Sequence, residues 1–123
     1  MPRPRYLLCG GRDYDDEDRV KIELRKLPRD SILVEGDARG ADSAVEYAAD
    51  QLNMREGYNF WVWRCPADWT GLGKAAGPAR NEEMLRETFP NSGIAFPGGR
   101  GTDDMVGRME EGGLRVIRIA SDE

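Results

Sequence analysis

The chain has 123 residues, with 18 basic and 23 acidic side chains, a formal net charge of -5, two cysteines and no histidine. That length favours one domain, residues 1–123, around a single core. Without histidine there is no Ser-His-Asp triad, Cys-His pair or His-ligated metal; Cys9 and Cys65 alone cannot build a structural zinc site, and the acidic balance argues against generic nucleic-acid binding.

No apolar run approaches the ~20 residues of a membrane span, and the opening MPRPRYLLCGGRD lacks a signal-peptide stretch, so a cytoplasmic protein without a membrane partner is expected. The two cysteines read as small buried apolar residues.

Arg5–Cys9 (RYLLC) is a short, mostly apolar run closed by Gly10 and Gly11, which predicts a buried strand. From Asp15 to Leu27, Val20, Leu24 and Leu27 recur at helical spacing behind an acidic first turn, and Pro28 ends the helix. Ile32–Val34 is the second strand, stopped by Gly36. Val45, Ala48, Ala49 and Leu52 share one face of a helix from Asp42 to Leu52. Phe60–Cys65 (FWVWRC) is the third strand, halted at Pro66. A long loop, PADWTGLGKAAGP, leads to a helix from Pro78 to Glu87 with proline in its first turn. Ile94–Phe96 is the fourth strand, followed by PGGRGT and a helix from Asp103 to Glu111. Gly112 and Gly113 close that helix, and Leu114–Ile119 (LRVIRI) is the fifth strand.

Strands alternating with helices imply an α/β, Rossmann-like three-layer α/β/α domain with a mainly parallel five-stranded sheet. Ligands of such sheets bind beyond the carboxyl ends of the strands, near the point where strand order reverses. Each glycine-rich stretch follows a strand. The loops CGGRD, EGDARGAD, CPADWTGLGKAAGPARN and PGGRGT together hold Arg12, Arg39, Lys74, Arg80 and Arg100 against Asp13, Glu35, Asp37, Asp42 and Asp68. That edge is therefore less acidic than the rest of the chain, which suits a small anionic ligand better than a long polyanion.

Gly98, Gly99 and Gly101 allow backbone N–H groups to approach a phosphate, and Thr102 can cap the next helix or lend its hydroxyl to the same anion. Asp103 and Asp104 in the first turn would compete with that anion, and a plain tight turn before a capped helix is the other reading. In EGDARGAD, Gly36 and Gly40 flank Arg39 and Asp42 is placed as N-cap, a second cradle or a simple βα turn. Arg80 and Asn81 open a helix, where the positive dipole end disfavours a cation unless an anion lies nearby. Trp69 can stack on a base or sugar, or close its loop onto the core.

GGRDYDD, EGDARGAD, PADWTGLGKAAGPARNEEM and AFPGGRGTDDMV, in this order, resemble the YspA-like branch of the SLOG superfamily, which also includes the LOG cytokinin-activating phosphoribohydrolases and the DprA/Smf proteins; the resemblance runs from Leu7 to Val116. It implies a Rossmann-like domain that binds nucleotides or nucleotide-derived molecules. The family's phosphate motif falls on Pro97, Gly98, Gly99, Gly101 and Thr102, and its arginine on Arg80 beside Asn81. It also implies that strand four lies beside strand one, that Cys9 and Cys65 stay apart, and that the chain forms a homodimer. LOG enzymes carry P-G-G-x-G-T-x-x-E with the glutamate resembling a catalytic acid or base; here that position is Met105, whose thioether cannot exchange a proton.

The expected ligand-binding set is Gly11, Arg12 and Asp13; Gly36, Asp37, Arg39 and Asp42; Trp69, Lys74, Arg80 and Asn81; and Pro97, Gly98, Gly99, Arg100, Gly101 and Thr102. No resident cofactor or metal is expected, and no catalytic residue is singled out. The expected activity is binding of a nucleotide-derived small molecule as sensor, carrier or sequestering module; the alternative is LOG-like cleavage of the N-glycosidic bond of a nucleoside monophosphate. Single-stranded DNA binding, as in DprA, is disfavoured by the net charge.

Overall fold

The computed structural model of the protein describes residues 2–121, and the side chain of Trp69 lies outside that description. In chain order the elements are β1 (Arg5–Cys9), α1 (Glu17–Arg25), β2 (Ile32–Glu35), α2 (Ala41–Glu56), β3 (Trp61–Arg64), α3 (Trp69–Leu72), α4 (Ala76–Thr88), β4 (Ser92–Ala95), α5 (Arg100–Glu111) and β5 (Val116–Arg118). The five strands pair only in parallel, in the order β3-β2-β1-β4-β5.

The three central strands β2, β1 and β4 are apolar on both sides because both sides are covered. Leu8, Leu33 and Ile94 face a core made with Val20 and Leu24 of α1 and Val45, Ala48, Ala49 and Leu52 of α2. Leu7, Val34 and Ala95 point the other way, against Met84 of α4 and Met105, Val106 and Met109 of α5. This is the Rossmann-like α/β/α sandwich. The chain winds outward from β1 through β2 to β3, returns to β4 beside β1, then continues to β5, so strand order reverses between β1 and β4. No described helix is long and apolar enough to cross a membrane.

Several boundaries differ from the sequence reading for identifiable reasons. Helix α2 runs one turn past Leu52, until Gly57 takes a left-handed conformation at φ 74° and ends it. The stretch read as a long loop after β3 contains α3 and a short 3-10 turn, Gly73–Ala75, that feeds directly into α4. Strand β3 is an edge strand, and Trp61 and Trp63 stand largely exposed on it. Helix α5 closes as expected: Gly113 turns left-handed at φ 84°, and Leu114 N–H reaches back to the Met109 carbonyl at 2.9 Å.

Candidate functional site

The loops after β1 and β4 meet at the reversal point. Gly11 N–H donates to the Pro97 carbonyl at 2.9 Å, and a Cβ on Gly11 would lie 3.0 Å from Gly98 Cα. A Cβ on Gly98 would overlap Thr102 Oγ1 and come within 2.7 Å of Gly11 N. Glycine at both positions therefore lets two backbones pack side by side. The loops wall one side of a cleft of about 800 Å³ at the carboxyl edge of the sheet, within the usual size range of small-molecule sites.

Helix α5 opens into this cleft. It begins at Arg100, three residues before the expected Asp103, with Gly99 as N-cap and no side-chain cap. Thr102 is thus not the cap; it sits inside the first turn, buried to 9% exposure. The first bond back to the cap is Asp103 N–H to Gly99 O at 3.0 Å. The N–H groups of Arg100, Gly101 and Thr102 precede that bond and have no intrahelical acceptor, and the dipole adds positive potential where they emerge. The expected competition from Asp104 is absent: its Oδ2 accepts from Asn81 Nδ2 at 2.9 Å and from Arg108 Nε at 2.8 Å. Burial works to raise the Asp104 carboxyl, but these two hydrogen bonds outweigh it and hold the group below the usual carboxylate range.

Arg80 does not open its helix. Because α4 starts at Ala76, Arg80 lies beyond the first turn and bears little of the dipole penalty. Its Nη1 donates to Gly36 O at 2.8 Å and Cys65 O at 3.5 Å, and its Nε donates to Asn81 Oδ1 at 3.0 Å. The guanidinium therefore ties α4 to the ends of β2 and β3 while lining the cleft. Asn81, buried at 3% exposure, passes the connection on to Gly101 O and Asp104.

Asp42 is likewise not the cap of α2; Gly40 is, at φ 81°, with Gly11 O and Arg12 where its Cβ would be. One residue into the helix from Ala41, Asp42 turns back and accepts from Gly36 N and Ala38 N, each at 3.2 Å. Burial pushes its carboxyl up to about 6, against the relief given by the Ala38 and Gly36 N–H groups and by Arg80. Asp42 lines the cleft. So does Cys9, whose thiol burial pushes up to about 12, with Asp42 adding to the rise; it is no nucleophile near neutrality. Cys65 is raised by burial as well, and both thiols are free and on separate strands' ends.

At the carboxyl end of β2, Glu35 is completely buried, and neither carboxyl oxygen has a hydrogen-bond partner. Burial, then the charges of Asp42 and Glu46, push it up to about 9; the Asp37 N–H, short of hydrogen-bond geometry, offsets only part.

Of the residues expected from sequence, Gly11, Arg12, Asp13, Gly36, Asp42, Lys74, Arg80, Asn81 and the whole Pro97–Thr102 segment line the cleft. Asp37 and Arg39 do not; both are exposed on the β2–α2 loop. The contact proposed for the Trp69 side chain lies outside the described residues. Sequence reasoning missed Tyr14, Ala38, Met84, Asp104 and Met105 among the lining residues. Tyr14 stacks on Phe96 at 5.3 Å between ring centroids, a pairing of β1 and β4 loops that only the strand order reveals. Met105 is 1% exposed and belongs to the apolar core under α5.

No family model matches the sequence. The chain is similar, at 35% identity over 121 residues, to the Gene 61 protein of Mycobacterium phage D29, covering 94% of this chain and 95% of that protein. Coverage of nearly both whole lengths at that identity places it plainly: the chain belongs to the family of the phage D29 Gene 61 protein.

Proposed function

We propose that the cleft binds a nucleotide or nucleotide-derived small molecule, with its phosphate at the start of α5. The observation that carries this reading is the uncapped α5 N-terminus: three N–H groups without an intrahelical acceptor and a positive dipole end border a cleft, with the nearby Asp104 paired to Arg108 and hydrogen-bonded by Asn81. Arg80 and Arg100 counter the phosphate charge, and Arg12 and Asp13 meet ribose or base. The resemblance of the glycine- and arginine-rich loops to those of the SLOG superfamily supports the same assignment. A thermal-shift screen against AMP, ADP-ribose, NAD and cyclic mono- and dinucleotides tests it. A ligand at one hundred times Kd adds about 2.7 kcal/mol of stability; a cooperative melt that no member of this panel moves removes the proposal.

One observation favours a second reading, hydrolysis of an N-glycosidic bond. Asp42 lines the cleft with its carboxyl near 6, a value suited to proton transfer near neutrality. It would supply the proton exchange that Met105 cannot. Chromatography of each nucleoside monophosphate after incubation decides it: free base and ribose phosphate support turnover, and unchanged ligand leaves binding alone.

A further inference from the structure

Behind the cleft wall, on the face covered by α2, three carboxylates converge. Glu35, Asp37 and Glu46 each offer an oxygen, and these oxygens lie within 4.8 Å of one another. Glu35 is the unusual member. It occupies the last position of β2, opposite Arg64 of β3, with zero exposure and neither oxygen hydrogen-bonded among the described residues. A buried polar group without a partner costs about 1–3 kcal/mol, and more when charged. Asp37 is held at φ 54°, a left-handed conformation that, outside glycine, aspartate and asparagine adopt most readily, and it brings its carboxylate to the same point.

Among the described residues, the cation paired within the cluster is Arg64, whose Nε contacts Glu46 Oε1. Arg64 is about half exposed, and both Glu35 oxygens stay without a partner among the described residues. Hard divalent cations take all-oxygen shells of six to eight ligands, and opposite ligands of a calcium-sized ion stand roughly 4.6–5.2 Å apart. That opposite-ligand distance is the ceiling for any two ligands of one ion, and these three carboxylate oxygens, all within 4.8 Å of one another, meet it. A histidine-free composition disfavours transition-metal sites but has no bearing on a carboxylate shell.

We infer that Glu35, Asp37 and Glu46 form a binding site for a hard divalent cation, reached from the groove between α2 and β3 that Glu46 and Arg64 line. The ion would supply Glu35 with the partner it lacks and clamp the β2–α2 loop from behind, while Gly36, Ala38 and Asp42 of the same stretch face the cleft. This site is independent of whether the cleft takes a nucleotide.

Titration of the full chain with Mn²⁺, followed by loss of the free-ion electron paramagnetic resonance signal, tests the inference. One Mn²⁺ per chain, displaced by Ca²⁺, is expected below about 1 mM, the weak end of carboxylate sites. Glu35→Gln and Glu46→Gln should each weaken uptake at least tenfold, whereas Glu82→Gln, an exposed acid on α4, should leave it unchanged; circular dichroism confirms that each variant is folded. No uptake by the parent, or uptake by Glu35→Gln within twofold of the parent, overturns the site.

Discussion

Arg80 Nη1 donates to the Gly36 carbonyl at 2.8 Å, joining α4 to the carboxyl end of β2 across the floor of the cleft. A Cβ on Gly36 would occupy the place of that guanidinium. Arg80→Ala should therefore cost about 1–2 kcal/mol by stripping the carbonyl of its partner, and weaken anionic ligands tenfold or more. Gly36→Ala should displace the guanidinium and weaken binding while Arg80 is still present. Denaturant midpoints and ligand titrations on both variants check this; full affinity in Gly36→Ala would show that the position of Arg80 is immaterial.

Gly99 separates folding from binding. Nothing lies within 4 Å of where its Cβ would be, and it is the uncapped N-cap of α5. Aspartate is a better cap than glycine by a few tenths of a kcal/mol, so Gly99→Asp should melt at or slightly above the parent temperature. Its carboxylate would also occupy the dipole end and repel phosphate. Stability kept and ligand lost is the expected pair of results from calorimetry.

Glu35 sets a pH dependence. The folded state keeps its proton up to about pH 9, whereas the unfolded chain releases it near 4.5. The unfolded state thus binds fewer protons in that window, and stability falls as pH rises from about 4.5 to about 9. Asp42 adds a smaller fall in the same direction between 3.8 and about 6. With EDTA present, Glu35→Gln should flatten the profile and raise stability at pH 7 by about 1–3 kcal/mol. Denaturation series from pH 4 to 9 would show it, and identical profiles for parent and variant would contradict it.

The thiols should be slow. With Cys9 pushed up to about 12 from 9.0, its thiolate fraction near neutrality falls about a thousandfold. Ellman's reagent should leave Cys9 unmodified in the native protein and titrate both cysteines once it is unfolded. Prompt native labelling of Cys9 would mean that the β1 end is open.

The alternation of apolar runs and helical patterns made the fold legible, because parallel strands buried on both faces and amphipathic helices leave distinct periods. The loops were legible as loops, since glycine clusters after strands mark the binding edge. Helix starts were not. Arg100–Thr102 carry glycine and no capping side chain, so α5 looked three residues shorter than it is. Asp42 has the chemistry of a cap but bonds the loop before it, because Gly40 alone fits against Gly11 and Arg12. Glu35 read as one more loop acid; its burial depends on α2 lying across β2, which no local pattern encodes.

On the proposed reading, the open end of α5 holds the phosphate of a nucleotide-derived ligand. Isothermal titration of parent and Gly99→Asp with the same nucleotide panel tests it most directly. Saturable heat near one ligand per chain is expected for the parent with at least one phosphate-bearing compound, and none for Gly99→Asp. Equal binding by both proteins, or no heat from a folded parent with any compound, would contradict it.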